Sequence, residues 1–378
     1  MIFDTFDITF LKLCGLCRYM PTRIPFLYDA PFMQKNIVNN LQEHGLIKTQ
    51  SDGSSYKLTT LGRNFLAGIG YTYPADARMD LHKKAYKRKL INAEINLLLH
   101  LAGFDVFYLY PQELAGIRTG YASSLTMRAD KNNKVLSGSK FLGLLKIDDA
   151  VYIPYFVEDE TEWVLPNFER SMILSQLGAV QSSKKVKLLL FGRNTEALWR
   201  SIHAQGEQDE SAYGRKRFYE ALQEMGFDYL LMSMGRRGVL QMSVLHSCRY
   251  RDIIADAIGC TPRTETALSE CDGMCGNVPY IIAVDLNIQR ICRALKQTKS
   301  VCGDTVPMIC CLPHQKHVLV QLLREYKCPK TGIMTIDPAS IQAMFPCRDM
   351  KRQAYLKGGE CIEIPASFAK KTSEKPKT

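Results

Sequence analysis

Amide side chains recur over a short stretch near the beginning of the sequence. They lie between residues 34 and 42, interleaved with apolar residues, and the candidates for base contact are Gln34, Asn36, Asn39 and Asn40. Asn and Gln place a hydrogen-bond donor beside an acceptor, an arrangement that suits the edge of an adenine in the DNA major groove. A merely solvated polar helix face is the alternative that stays open at this point.

The pattern around these amides predicts a winged helix-turn-helix over residues 1–70. Apolar residues of the segment 8–17 recur at helical spacing behind Asp7, a candidate helix cap. A second helical stripe predicts that residues 31–44 form the amide-bearing helix, which Gly45 ends. Two β-prone runs at 46–48 and 56–59 predict a hairpin, and a further helix follows from Thr60. Winged helices also serve as protein-docking modules, which is the second open alternative.

Basic residues accompany the predicted DNA-binding elements. A helix expected over residues 80–101 has a basic first half and an apolar second half. Such cations neutralise phosphates without reading base sequence. The predicted phosphate contacts are Lys35, Lys48, Lys57, Arg63, Lys83, Lys84, Lys87 and Arg88.

Length and charge set the broad class of the protein. The chain has 378 residues and a net charge of +11, which predicts two or three globular domains and favours a polyanionic partner. No apolar run reaches the roughly 20 residues that a membrane-spanning helix needs. We therefore expect a cytoplasmic protein that binds double-stranded DNA and has no membrane partner, and whose oligomeric state the sequence leaves open.

The rest of the chain is predicted to form two α/β regions. Residues 78–192 alternate between helices and β-prone runs, which indicates antiparallel strands flanked by helices. Residues 193–366 form the second region, in which runs at 229–233 and 239–245 are expected as strands and the segment 279–345 shows a parallel β-α-β pattern. Residues 367–378 are a short basic tail, expected to be disordered. The fold class is thus α/β (α+β).

The order of these features resembles the replication-relaxation family of plasmids and conjugative elements. The features are the Gly45-Leu46-Ile47 turn, the Leu58-Thr59-x-x-Gly62 exit, a linker, a helix with Asn92 in its middle, and the acidic segment 156–162. The resemblance covers about the first half of the chain. It implies that the second domain is similar to the PD-D/ExK nuclease core and that the protein assists a separate relaxase or another DNA-processing protein.

A nuclease of this superfamily is the first functional alternative. It needs carboxylates that converge on Mg²⁺, and the best set is Glu113, Asp149, Glu158 and Asp159. No Lys follows Glu158 at two residues, and no carboxylate stands in segment 139–143, where the family's Pro-Asp pair would fall. We therefore expect an inactive, nuclease-like scaffold with no cofactor and no catalytic residues.

Other metal and nucleophile patterns are weak. The 13 cysteines lie mostly in apolar runs, as reduced core residues do, while Cys271 and Cys275 leave zinc binding open. None of the seven histidines forms the His-x-His pair of a relaxase. The prediction is a non-enzymatic DNA-binding accessory protein, and a winged-helix transcriptional regulator is the second functional alternative.

Overall fold

The computed structural model of the chain shows a mixed α/β fold with parallel and antiparallel strands. The described residues are 3–24, 28, 34–73, 84–128, 139–157, 163–164, 166–180, 185–203, 216–261, 268–302, 306–328, 330–348, 353–355 and 361–363. The chain divides into two compact units. The first comprises residues 1–97 and 348–378, and the second comprises residues 98–347. The basic tail expected at 367–378 lies outside the described residues.

The first unit combines helices with a small antiparallel sheet. Its elements are α1 (Thr5–Cys17), β1 (Met20–Pro21), α2 (Lys35–Glu43), β2 (Ile47–Thr49), β3 (Ser55–Leu58), α3 (Thr60–Gly68) and the start of α4 (Lys84–Leu101). The strand order is β1-β3-β2, and both pairings are antiparallel. An antiparallel hairpin of Gln353–Tyr355 and Cys361–Glu363 also belongs to this unit.

Capping residues explain where two of these helices begin. Asp4, rather than Asp7, caps α1: its carboxylate accepts from the Phe6 and Asp7 amides, and the Asp7 carboxylate accepts from the Asp4 amide at 3.0 Å. Asp7 is therefore the third helical residue of a capping box. Thr59 caps α3 by accepting from the Gly62 amide at 3.0 Å.

The Leu58-Thr59-x-x-Gly62 motif has a packing reason as well. The Thr59 hydroxyl donates to the Gly45 carbonyl oxygen at 2.6 Å, which joins the start of α3 to the turn before β2. Gly62 lies directly against the Leu46 carbonyl, where a side-chain methyl group would overlap the oxygen. Only glycine permits this close approach.

The second unit contains a five-stranded mixed sheet. The elements from residue 119 to 257 are β4 (Thr119–Ser123), α5 (Ser124–Met127), β5 (Gly143–Ile147), β6 (Ala150–Phe156), β7 (Trp163–Val164), α6 (Pro166–Val180), β8 (Lys185–Gly192), α7 (Thr195–His203), β9 (Lys216–Arg217), α8 (Phe218–Met225), β10 (Asp228–Ser233), α9 (Arg236–His246) and α10 (Tyr250–Ala257). The order is β10-β8-β6-β5-β4. Strands β4, β5 and β6 form an antiparallel meander. Strands β8 and β10 run parallel to β6, because a helix precedes each of them in a crossover connection. This corrects the expectation of a wholly antiparallel layer.

A four-stranded sheet follows in the same unit. The remaining elements are β11 (Gly273–Cys275), β12 (Val278–Ile282), α11 (Ile288–Cys302), β13 (Met308–Cys311), α12 (Lys316–Glu325), β14 (Gly332–Thr335) and α13 (Pro338–Met344), with β15 (Gln353–Tyr355) and β16 (Cys361–Glu363) forming the hairpin of the first unit. Strands β12, β13 and β14 are parallel neighbours, which confirms the predicted β-α-β pattern. One apolar core includes residues of both sheets, such as Leu190 and Ile281.

Two expectations differ from the structure. Residues 239–245 are helical and not a strand, because Gly235 turns the chain at φ +77° and the buried Val239, Met242 and Leu245 recur at three-residue spacing. The boundary expected between residues 192 and 193 falls inside the second unit, since β8 and β10 are hydrogen-bonded neighbours. Among the described residues, no helix has both the length and the apolar character to span a membrane.

Candidate nucleic-acid interface

The predicted amide face lies on the surface of α2. Gln34, Lys35, Asn36 and Asn39 are exposed, whereas the opposite side of the helix buries Ile37, Val38 and Leu41 in the first unit. The apolar stripe therefore fixes which side chains point outward. Residues 31–33, which were expected to begin this helix, lie outside the described residues.

Asn40 and Gln42 differ from the exposed amides. The Asn40 side chain is half-buried, and its Nδ2 donates to Asp7 Oδ1 at 3.5 Å, which ties α2 to α1. The Gln42 Nε2 donates to the Thr49 hydroxyl at 3.0 Å, which ties α2 to β2. Of the two adjacent asparagines predicted to contact bases, Asn39 thus presents its amide outward and Asn40 is engaged within the unit.

The hairpin β2–β3 brings two predicted phosphate contacts together. Lys48 and Lys57 occupy paired positions of the two strands. Lys48 is exposed and Lys57 is half-buried. Gly53, at φ +69°, and the Asp52 carboxylate, which accepts from the Ser54 amide at 3.1 Å, shape the connecting turn. Arg63, on α3, is half-buried and its Nη2 donates to the Thr60 hydroxyl at 3.3 Å.

A buried tyrosine places the basic half of α4 against this hairpin. The Tyr86 side chain is 2% exposed, and its hydroxyl is hydrogen-bonded to the Ser54 and Ser55 hydroxyls at 2.6 and 2.7 Å. Lys87 and Arg88 follow it and are both exposed. The sequence pattern did not identify Tyr86, although a tyrosine within a lysine-rich helical turn is a signal for one buried side of that turn.

A second contact holds α4 in the same unit. The Tyr28 hydroxyl donates to Glu94 Oε1 at 3.0 Å, and the Arg23 guanidinium lies 3.9 Å from Glu94 Oε2. Lys84 begins the helix, but its side chain is outside the described set, as is all of Lys83. The interface assembled by the described residues therefore consists of the exposed face of α2, the hairpin and the first turns of α4.

Two of the four nuclease candidates, Glu113 and Asp149, have other roles in the second unit. The Glu113 carboxylate accepts from the Leu109 and Tyr110 amides at 3.3 and 3.2 Å, so that it caps a short 3₁₀ turn, Pro111–Leu114. Asp149 is exposed and forms an ion pair with Lys185 at 2.9 Å, and this lysine lowers the pKa of Asp149. Glu158 and Asp159 lie outside the described residues. Within the described part of the chain, no three potential metal ligands converge.

The cysteines singled out for zinc are separated by their environments. Cys271 is buried, with its sulfur 3.6 Å from the Thr298 hydroxyl, and Cys275 is exposed. Burial raises the pKa of Cys271, which favours the thiol over the metal-binding thiolate. Cys260, upstream, is also buried, and burial raises its pKa to about 11.

Comparisons with known proteins give no relative from which a function could be inferred, so the geometric observations above are the basis for the proposed function. No protein-family model matches the chain, and searches of curated proteins and of solved structures likewise give no significant match.

Proposed function

We propose that the protein binds duplex DNA through its first unit, with α2 in the major groove and the β2–β3 hairpin and α4 on the phosphate backbone. The observation that carries this proposal is the exposed side Lys35, Asn36 and Asn39 of a helix whose other side is buried, with Gln34 exposed at the N-cap. A single helix of this width enters the major groove, and Asn and Gln are the side chains that pair with adenine.

The connectivity of the first unit supports a winged helix. Helix α1, strand β1, helix α2 and the hairpin β2–β3 follow one another, and β3 pairs with both β1 and β2. In a winged helix the second strand pair forms the wing beside the recognition helix, which is the position that β2–β3 takes after α2. Lys48 and Lys57 then serve as wing contacts to phosphates, and Lys87 and Arg88 extend the basic surface.

The proposed cellular role is narrower than DNA binding. The resemblance to the replication-relaxation family supports an accessory protein that positions a separate relaxase at the origin of a mobile element. The roles found for Glu113 and Asp149 favour this non-enzymatic role over a nuclease, because both carboxylates are already engaged by groups of the protein.

The DNA-binding proposal is tested by fluorescence anisotropy of the full chain with a labelled duplex over a range of salt concentrations. Three to six phosphate contacts give a slope of about −3 to −5 when the logarithm of the association constant is plotted against that of the salt concentration. The variant Lys35→Ala should bind less tightly at every salt concentration and show a slope smaller in magnitude by about 1.

Lys299→Ala is the matched control for this experiment. Lys299 is an exposed helical lysine of α11, in the second unit, so its removal changes net charge by the same amount. Equal losses for Lys35→Ala and Lys299→Ala would assign the binding to general charge and contradict the proposed interface. A salt-independent association would contradict it as well.

A further inference from the structure

A cavity of about 800 Å³ opens in the second unit, and none of its lining residues is among those proposed to contact DNA. Its walls include Tyr152 of β6, Lys187 of β8, Arg251 of α10 and Arg290 of α11. Volumes of 300–1,000 Å³ are typical of sites for small molecules. The lining is mainly polar and charged, so a polar ligand fits it better than an apolar one.

Arginines form ion pairs with the buried carboxylates beside this cavity. Asp285 is 1% exposed and accepts from the Tyr250 hydroxyl at 2.6 Å and from Arg251 Nη2 at 2.7 Å. Asp272 accepts from Arg290 Nη1 at 2.9 Å. These cations lower the pKa of Asp285 despite the opposing effect of burial, so the carboxylate stays ionised.

The next two carboxylates are engaged in the same way. Arg293 donates from Nη1 to Asp228 at 3.0 Å and from Nε to Glu270 at 2.9 Å. Each of these four carboxylates thus has an arginine partner. Two further carboxylates, Asp252 and Asp256 of α10, also line the cavity, and Asp252 pairs with Arg249 at 3.2 Å.

Lys187 is the cation without such a counter-ion. Its ammonium lies 5.6 Å from the centre of the Tyr152 ring, and it has no hydrogen bond or ion pair to any described residue. Burial lowers the pKa of Lys187, although Asp285 raises it, because desolvation disfavours the charged form. An ammonium placed in this way is destabilising for the protein unless an anion reaches it.

Two more donors in the wall lack acceptors among the described residues. The Tyr152 hydroxyl has no hydrogen bond there, although its side chain is 8% exposed. The Nε of Arg290, a residue that is 3% exposed, is also unpaired. Buried donors are normally satisfied, so the unpaired Arg290 Nε, beside an ammonium and a hydroxyl that also lack acceptors, favours an acceptor supplied from outside the chain.

We propose that this cavity binds a small polar molecule through one oxyanion group, a carboxylate or a phosphate, with Lys187 as its counter-ion and the Tyr152 hydroxyl as a hydrogen-bond donor. The cavity walls belong to the second unit alone. The proposal therefore goes beyond DNA binding and does not depend on it.

The test is thermal unfolding of the full chain, followed by tryptophan fluorescence, with defined probes at constant ionic strength. Both tryptophans, Trp163 and Trp199, belong to the second unit. The probes are acetate, inorganic phosphate, ribose 5-phosphate and adenosine monophosphate, with chloride as the reference. At least one probe should raise the midpoint temperature in a saturable manner, as ligand binding to the folded state requires. Stabilisation by acetate but not by phosphate would indicate a carboxylate site, and the reverse would indicate a phosphate site. A larger effect of ribose 5-phosphate or adenosine monophosphate than of inorganic phosphate would show that the cavity also contacts the sugar or the base.

Lys187→Met and Lys185→Met form the matched pair of variants. Lys185 lies on the same strand but is exposed and paired with Asp149. The affinity for the effective probe should fall at least 10-fold in Lys187→Met, which removes the charged donor to the bound oxyanion, and stay within about twofold in Lys185→Met. Absence of any probe effect, or equal losses in the two variants, would overturn the proposal.

A stability measurement separates ligand binding from a structural role of Lys187. Without a probe, Lys187→Met should unfold at a higher temperature than the unmodified chain, because it retains the apolar stem and removes a half-buried charge that lacks a bonded partner. A lower unfolding temperature would show that the ammonium stabilises the fold and would contradict the proposal.

Discussion

Lys48 and Lys57 face each other across the β2–β3 hairpin as a directly paired position of two antiparallel strands. Like charges in such a pair oppose strand association by roughly 0.2–1 kcal/mol. The same two charges lie on the hairpin that follows α2, where a phosphate backbone would offset their repulsion. The pair therefore links a small cost in stability to the proposed DNA contact.

We expect Lys48→Thr to stabilise the first unit while weakening DNA binding. Threonine removes the repulsion and has a high strand propensity, so amide hydrogen exchange of β3 should slow down. The affinity for duplex DNA should fall about 3- to 10-fold at low salt, through loss of one phosphate contact. Lys48→Arg is the control that retains the charge. Faster exchange together with unchanged affinity in Lys48→Thr would contradict the assignment of this pair.

The adjacent residues Asn39 and Asn40 should behave differently. Because Asn39 is exposed, Asn39→Ala should leave the unfolding free energy unchanged and weaken binding to a preferred sequence by about 1–3 kcal/mol, with little effect on random duplex. Because the Asn40 amide donates to Asp7, Asn40→Ala should cost roughly 0.5–1.5 kcal/mol of unfolding free energy. Both quantities come from anisotropy and urea unfolding. The reverse assignment of the two effects would show that α2 is oriented differently from the structure.

Two glycines of α3 should respond to alanine with opposite signs. Gly68→Ala adds a methyl group that meets nothing within 4 Å, and it should stabilise the first unit by about 0.4–1 kcal/mol. Gly62→Ala drives its methyl group into the Leu46 carbonyl oxygen and should destabilise by roughly 1–3 kcal/mol. Hydrogen exchange of α3 measures both. Stabilisation by Gly62→Ala would mean that α3 does not approach the residue before β2 so closely.

His314 should make the second unit sensitive to mild acid. Burial, together with the nearby Arg237, lowers its pKa to about 4, against an ordinary value of 6.5. Between these values the unfolded chain binds a proton that the folded chain does not, so stability falls as pH drops from 6.5 to 4. The loss corresponds to about 3 kcal/mol. In His314→Gln the decline of unfolding free energy over this interval, followed by tryptophan fluorescence, should be smaller by that amount. Equal declines in the two proteins would show that His314 does not stay neutral in the folded chain over this pH interval.

Local patterns predicted several elements of the fold because one short-range cause dominates each of them. The apolar stripe of α2 and the Gly-containing turn after β2 are each encoded within a few residues. The strands β12, β13 and β14 are likewise recognisable from their short apolar runs, which alternate with helical segments. The segment 239–245 has a strand-like pattern in the sequence because Leu240, Met242 and Val244 alternate with Gln241 and Ser243. The helical side that packs inward, with Val239, Met242 and Leu245, becomes visible only with tertiary contacts.

The candidate DNA interface and the cavity are built from contacts between distant segments, which local sequence patterns do not predict. Asn40 joins Asp7, 33 positions earlier, and Tyr86 joins Ser54, 32 positions earlier, so neither role follows from local spacing. Lys187 carried a signal that was available, because it interrupts the apolar strand around Leu188 and Leu189. Its lack of a bonded counter-ion depends on distant contacts, because arginines already pair with Asp272 and Asp285.

Selection of duplexes from a random-sequence library by the full chain tests the central claim most directly. The account predicts that the unmodified protein enriches a short motif, that Asn39→Ala enriches a relaxed or different motif, and that Lys299→Ala enriches the original one. Enrichment of no motif, or of the same motif by the unmodified protein and by Asn39→Ala, would contradict the claim that the exposed face of α2 reads DNA.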